Sequence, residues 1–220
     1  FMIVMDKEFK TDEIDDTMMG GTSVADPELY AMLKDLRKHL ARKMNIPAYV
    51  IFQDPSLDQM AMMYPVTEQE LQNIQGVGVG KAKRYGEEFC KLIKQYCKEK
   101  NIERPEELRV RTVAKKSMQK VKIIQGIDRK LPLDDIAIAE GLGFDELLSK
   151  IEEIVYSGTK INIDYFLKDI YDEDKIDDIY DYFMNSQTDD IDEALKELDE
   201  DYSEEEIRLV RIKFISEMAN

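Results

Sequence analysis

Apolar residues return at intervals of three and four from Leu29 almost to the last residues, and the breaks fall at residues that start or stop helices. Leu29, Leu33, Leu36, Leu40 and Met44 lie within about 80° on a helical wheel, so a helix opening at Asp26-Pro27-Glu28 carries one core stripe. Pro47 stops it within the apolar connection from Ile46 to Phe52. Asp54-Pro55 opens a second helix with Leu57, Met60, Ala61 and Met63, and Thr67 to Glu70 has the spacing of a capping box. A long helix with Phe89, Leu92, Ile93 and Tyr96 follows. The rhythm resumes at Ile163, Phe166, Leu167 and Ile170, at Ile176, Ile179 and Phe183, at Ile191, Leu195 and Leu198, and at Ile207, Val210, Ile212, Phe214 and Ile215, the last run behind a second capping box, Ser203 to Glu206. The pattern predicts an all-α protein.

Its 220 residues, 43% of them hydrophobic, suffice for two compact bundles of about 100 residues each. The sequence begins with an apolar run, Phe1 to Val4, that reads as a short extended remnant of a preceding domain in a longer protein; residues 10–25 read as a polar linker. No run of 18 apolar residues and no signal peptide is visible, so a cytoplasmic, nucleoid-associated protein without membrane contact is expected.

Net charge divides the chain. Residues 26–100 carry +2, residues 101–130 carry +5 and residues 131–220 carry −19, within a total of −16. A phosphate backbone is attracted to the middle and repelled by the end. Cys90 and Cys97 lie two helical turns apart, about 10 Å, too far for a disulfide, and read as reduced packing thiols. With His39 the sole histidine and no Cys-x-x-Cys, neither a structural zinc site nor a histidine-based triad is expected. No catalytic residue and no metal ligand is assigned.

The most specific local feature is the turn Gln75-Gly76-Val77-Gly78-Val79-Gly80-Lys81-Ala82-Lys83-Arg84. Its glycines let backbone approach a ligand, and the positive end of the next helix faces the same place, which suits one phosphate. A tight inter-helix turn without ligand would use the same glycines. It is not a Walker A loop, because Ala82 follows the lysine and no strand precedes it.

Taken together, Leu33 to Arg37, the Pro47-Ala48-Tyr49-Val50-Ile51-Phe52 segment, Asp54, and the Gly76–Lys81 hairpin with Arg84-Tyr85-Gly86 closely resemble the HRDC domain over about residues 26–102. The resemblance implies a small bundle of about five helices with an auxiliary nucleic-acid-binding role, on DNA in RecQ-type helicases and on RNA in RNase D-type exonucleases. It makes Tyr49 a residue that either stacks on a base or packs against the first helix. Gly78, Gly80, Lys81, Lys83 and Arg84 are phosphate candidates, with Lys34, Lys38 and Arg42 as a second row at successive i+4 steps.

Residues 103–131 read as a basic linker; Lys115, Lys116, Lys120 and Lys122 in it either bind a nucleic-acid backbone or strap against the acidic end. Residues 132–220 form the acidic domain. Its start, Pro132 to Leu148, resembles the helix-turn-helix domain of many bacterial RecQ proteins, but Asp145, Glu146, Glu152 and Glu153 on the second helix argue against groove reading. The combined resemblance implies a non-catalytic accessory region of a RecQ-type ATP-dependent DNA helicase in recombination and repair. ATP and magnesium would belong to motor domains outside this chain. Expected partners are single-stranded or forked DNA, those motor domains and other repair proteins. Two alternatives stand beside it: an acidic regulatory arm that docks on the motor or a partner, and the HRDC region of an RNase D-like exonuclease.

Overall fold

A computed structural model of the chain describes residues 25–104, 118–198 and 201–219. Among these residues there are twelve helices and no strand, in two bundles. The expected extended remnant at residues 1–9, nearly all of the following linker, and Lys115 and Lys116 lie outside the described residues.

The first bundle comprises α1 (Pro27–Met44), α2 (Ala48–Ile51), α3 (Asp54–Met63), α4 (Glu68–Leu71) and α5 (Val79–Lys100). The Asp26 carboxylate caps α1, accepting from the Glu28 and Leu29 amides at 3.0 and 3.1 Å, and also from the Tyr96 hydroxyl of α5 at 2.8 Å. One side chain therefore both starts the first helix and fastens the last one to it. Partial burial alone would raise its pKa; the donors from Leu29, Tyr96 and Glu28 hold it below the ordinary value. The core stripe of α1 closes on Phe52, Leu57, Met60 and Phe89, with the Phe52 and Phe89 rings edge to face at 4.9 Å. Arg37, on the edge of that stripe, is buried and donates to the Phe52 carbonyl at 2.6 Å and to Asp54 at 2.6 Å, which locks α1 to the α2–α3 joint. The short connection from Ile46 to Phe52 thus contains a helical turn, α2.

The second bundle comprises α6 (Met118–Asp128), α7 (Leu133–Glu140), α8 (Phe144–Tyr156), α9 (Asp164–Ile170), α10 (Glu173–Asn185), α11 (Ile191–Glu197) and α12 (Glu204–Met218). Here the expected linker over residues 103–131 is corrected at its end. Residues 118–128 form α6, and Ile123, Gly126 and Ile127 are buried against α7. Helices α6, α7 and α8 make a three-helix unit in which Gly141, at φ +69°, ends α7 and turns the chain into α8. Helix α12 packs against α8, α9, α10 and α11. It is apolar on nearly every side because it is enclosed: Ile207, Leu209, Val210, Ile212, Phe214 and Ile215 are all buried. Its start is a reciprocal capping box, with Ser203 Oγ accepting from the Glu206 amide at 3.2 Å and the Glu206 carboxylate accepting from the Ser203 amide at 2.7 Å.

Two substitutions grade these supports. Asp26→Ala removes a cap and the α1–α5 tie and lowers stability by about 1–2 kcal/mol. Phe214→Ala empties the centre of the second core, where the rings of Phe183 and Tyr180 lie 6.0 and 5.1 Å away, and costs about 3–5 kcal/mol. Urea denaturation followed by circular dichroism checks both; equal losses of stability would contradict the central place given to α12.

Candidate nucleic-acid interface

The hairpin between α4 and α5 is held from below by α3. Ser56 Oγ donates to the Gln75 carbonyl at 2.8 Å, and the Gln75 amide donates to Gln59 Oε1 at 2.6 Å. Gly76 turns the chain at φ +76°, Val77 is buried, and Gly78 is the N-cap of α5 without a side-chain cap. The hairpin therefore presents bare backbone at the positive end of a 22-residue helix, as its glycines imply.

What occupies that backbone is the other bundle. A Cβ built on Gly78 would lie 2.2 Å from the Ser157 carbonyl oxygen, and one built on Gly80 would lie 2.2 Å from the Gly158 carbonyl oxygen. Gly158 itself, at φ +80°, lies so close that a Cβ there would meet the Lys81 amide nitrogen at 2.7 Å. The turn after α8 and the first turn of α5 thus approach backbone to backbone. Lys81 is only 1% exposed, and its ammonium lies 5.9 Å from the centre of the Tyr156 ring. Burial pulls its pKa down to about 7, against the opposing pull of Asp189.

Tyr49 belongs to the same contact. It is 5% exposed, its hydroxyl donates to the Phe183 carbonyl at 2.6 Å, and its ring lies 6.5 Å from that of Phe214. Of its two readings, stacking on a base or packing against the first helix, this arrangement permits neither as stated: Tyr49 packs, but into the second bundle. Gln53 donates to Asp189 at 2.7 Å, Tyr156 donates to the same carboxylate, and Arg211 donates to the Asp189 carbonyl. Gly78, Gly80 and Lys81 were expected to hold phosphate; the second bundle buries Lys81, half-covers Gly78 and closes on one side of Gly80, which stays exposed on the other, and it buries Tyr49 as well.

The other candidates divide. Lys83 and Arg84 are exposed on α5 beyond the contact, with the Arg84 guanidinium 5.5 Å from the Tyr85 ring centre. Lys34 pairs with Asp54 at 3.3 Å. Lys38 and Arg42 are exposed, and with Lys34 they line the α1 wall of a cleft of about 1080 Å³ between the bundles. The facing wall, residues 184–189, is mostly uncharged and polar. Lys120 donates to Ser157 Oγ at 3.0 Å and Lys122 pairs with Glu140 at 3.4 Å, so α6 uses both within its own bundle.

Helix α8, the second helix of the helix-turn-helix, is engaged from behind. Arg208 of α12 grips Glu152 through two nitrogens at 3.1 and 3.2 Å and reaches Ser149 at 3.2 Å, and Arg211 adds a contact to Glu152 at 2.8 Å. Its exposed residues include Asp145, Glu146 and Glu153. A major-groove reader needs donors there. Among the described residues no three His, Cys, Asp or Glu side chains group closely enough to hold a metal, and no helix is long and apolar enough to cross a membrane.

The Tyr156, Asp189 and Arg211 contacts were not foreseen from the sequence. Asp189 has no local mark among so many acids. Arg211 does: it is an arginine set between the apolar Val210 and Ile212.

Residues 26–93 match the HRDC domain family, and residues 117–167 match the RecQ-1-like helix-turn-helix domain family. The chain is 44% identical over 73 residues to the ATP-dependent DNA helicase RecQ of Pasteurella multocida and 41% identical over 76 residues to that of Haemophilus influenzae. These alignments cover 33% and 34% of this chain and 12% of either relative. The ATP-dependent DNA helicase UvrD2 of Mycobacterium bovis is 36% identical over 69 residues, 31% of this chain and 10% of that protein. Relatives named for two kinds of helicase, RecQ and UvrD2, thus each match a stretch of about a third of this chain. The chain carries, in this order, a segment that matches the HRDC domain and a segment that matches the RecQ-1-like helix-turn-helix domain, and it is similar to RecQ helicases over about a third of its length.

Proposed function

We propose that this chain is the non-catalytic nucleic-acid-binding region of a RecQ-type ATP-dependent DNA helicase acting in recombination and repair. The observation that carries the reading is an HRDC-type bundle with basic side chains open to solvent, Lys38 and Arg42 along the interbundle cleft and Lys83 and Arg84 beside the hairpin. These groups have the reach and charge to hold the phosphates of single-stranded or forked DNA while motor domains elsewhere in the protein, with their ATP and magnesium, do the work of unwinding. Binding of this kind is weak, independent of sequence and strongly salt-dependent.

The acidic bundle has a different part in this reading. Its α8 offers carboxylates where a groove reader needs donors, which favours contact with protein, in the motor domains or in other repair proteins, over contact with DNA.

Titration of a single-stranded oligonucleotide at several salt concentrations tests the assignment. Lys38→Glu/Arg42→Glu and Lys83→Glu/Arg84→Glu each weaken binding, and each pair flattens the log–log salt dependence by about 1.4, roughly 0.7 for each phosphate no longer neutralised. If both double variants fold and bind with the parent's affinity and slope, the assignment is wrong.

A further inference from the structure

The second bundle presents to the hairpin the same chemical groups that a nucleic acid would. Carbonyl oxygens of Ser157 and Gly158 lie against the first turn of α5, where phosphate oxygens would be drawn by the helix dipole. The Tyr156 ring lies near the Lys81 ammonium as the face of a base would, and the Asp189 carboxylate stands in the same network as a negative charge. Tyr49, the aromatic beside this surface, is covered in the same contact.

We propose that the second bundle acts in cis as a competitor of single-stranded nucleic acid for the hairpin face, so that docking and binding at Tyr49, Gly78 and Lys81 exclude one another. The proposal rests on the nucleic-acid reading above, and adds to the exposed basic row a second surface held under cover.

The make-up of the contact fits a cover that can lift. Tyr49 and Val50 are the buried side chains that the first bundle lends to the second core. Much of the remainder is polar, with Gln53 on Asp189 and a lysine buried against an aromatic ring. An ammonium so placed has given up its water, and its lowered pKa reflects that cost, so releasing the bundle restores hydration to Lys81. Each bundle meanwhile keeps its own capped helices and its own core.

The glycines supply the test, because the phosphate-cradle and cover readings predict opposite results. Gly80 lies in the first turn of α5 and Gly78 has φ −89°, so alanine fits the backbone at both, yet its methyl group would strike the turn at Ser157–Gly158. Gly80→Ala, with Gly78→Ala as a second variant, wedges the bundles apart without touching either core. Amide hydrogen exchange at residues 78–81 and 156–159 of the full chain reports opening, and circular dichroism reports that both bundles remain folded. The expected result is faster exchange at both segments together with single-stranded oligonucleotide binding about ten-fold tighter, as a mostly covered surface becomes available. Exchange unchanged in both variants overturns the proposal, since the wedge then does not separate the bundles. Opening with binding equal to or weaker than the parent's overturns it while leaving the exposed row intact. Opening with no binding by any form at low salt overturns both this proposal and the nucleic-acid reading.

Discussion

Two backbones can come within carbonyl contact only where neither carries a side chain in the way, and the relation between the two bundles depends on one such place. Gly78 and Gly80 on one side and Gly158 on the other leave room at the crossing for the Ser157 and Gly158 carbonyls. Once those turns meet, their neighbours have fixed positions. Lys81 is carried beneath Tyr156, Gln53 reaches Asp189, and Tyr49 enters the space beside Phe183 and Phe214. Specificity in this contact comes from close approach and from a few directed hydrogen bonds, rather than from a broad apolar face. The same three glycines therefore set the interdomain geometry and decide which basic groups water can reach.

The helices were largely legible because their signals are local. Asp26 with Pro27 and Ser203 with Glu206 announce helix starts through bonds made within three residues, and the apolar spacing behind them needs no knowledge of the partner. Asp54 with Pro55 also marks a start, but Asp54 caps nothing: it is the first residue of α3, and its carboxylate pairs with Lys34 and Arg37 of α1. Thr67 followed the rule only in part. Its hydroxyl caps Glu70 as expected, but the Glu70 carboxylate accepts from the Val66 amide and pairs with Arg104. Helix α6 was hidden by its charge, since the basic residues around Ile123 and Ile127 gave the segment the look of a linker. Its two isoleucines, four apart, are a real stripe, but a narrow one.

The site was far less legible, for a physical reason. Glycines and a lysine at a helix start describe a surface able to receive oxygen atoms, and they do not say whose oxygens arrive. In this molecule carbonyls of the same chain arrive. Tyr49 shows the same limit: an amphipathic ring beside a basic surface suits stacking and packing equally well, and the choice is made by Phe183 and Phe214, more than a hundred residues away in sequence. Lysine burial is rarer still, so Lys81 reads as exposed until its neighbours are known.

The helix-turn-helix carries the same argument further. Where such a unit reads DNA, its second helix must leave one face open for the groove. Here Arg208 and Arg211 approach α8 from α12 and converge on Glu152, and α12 is the helix against which α8, α9, α10 and α11 are all packed. Freeing α8 would require breaking a half-buried arginine–carboxylate cluster and exposing the centre of the core, so α8 is committed to structure. What the bundle leaves outside is carboxylate on α8 and the turn that follows it, and that turn is the part that fits the hairpin. The turn that follows α8 therefore spends its free carbonyls on the neighbouring bundle of the same chain, at the place where the hairpin backbone is bare of side chains.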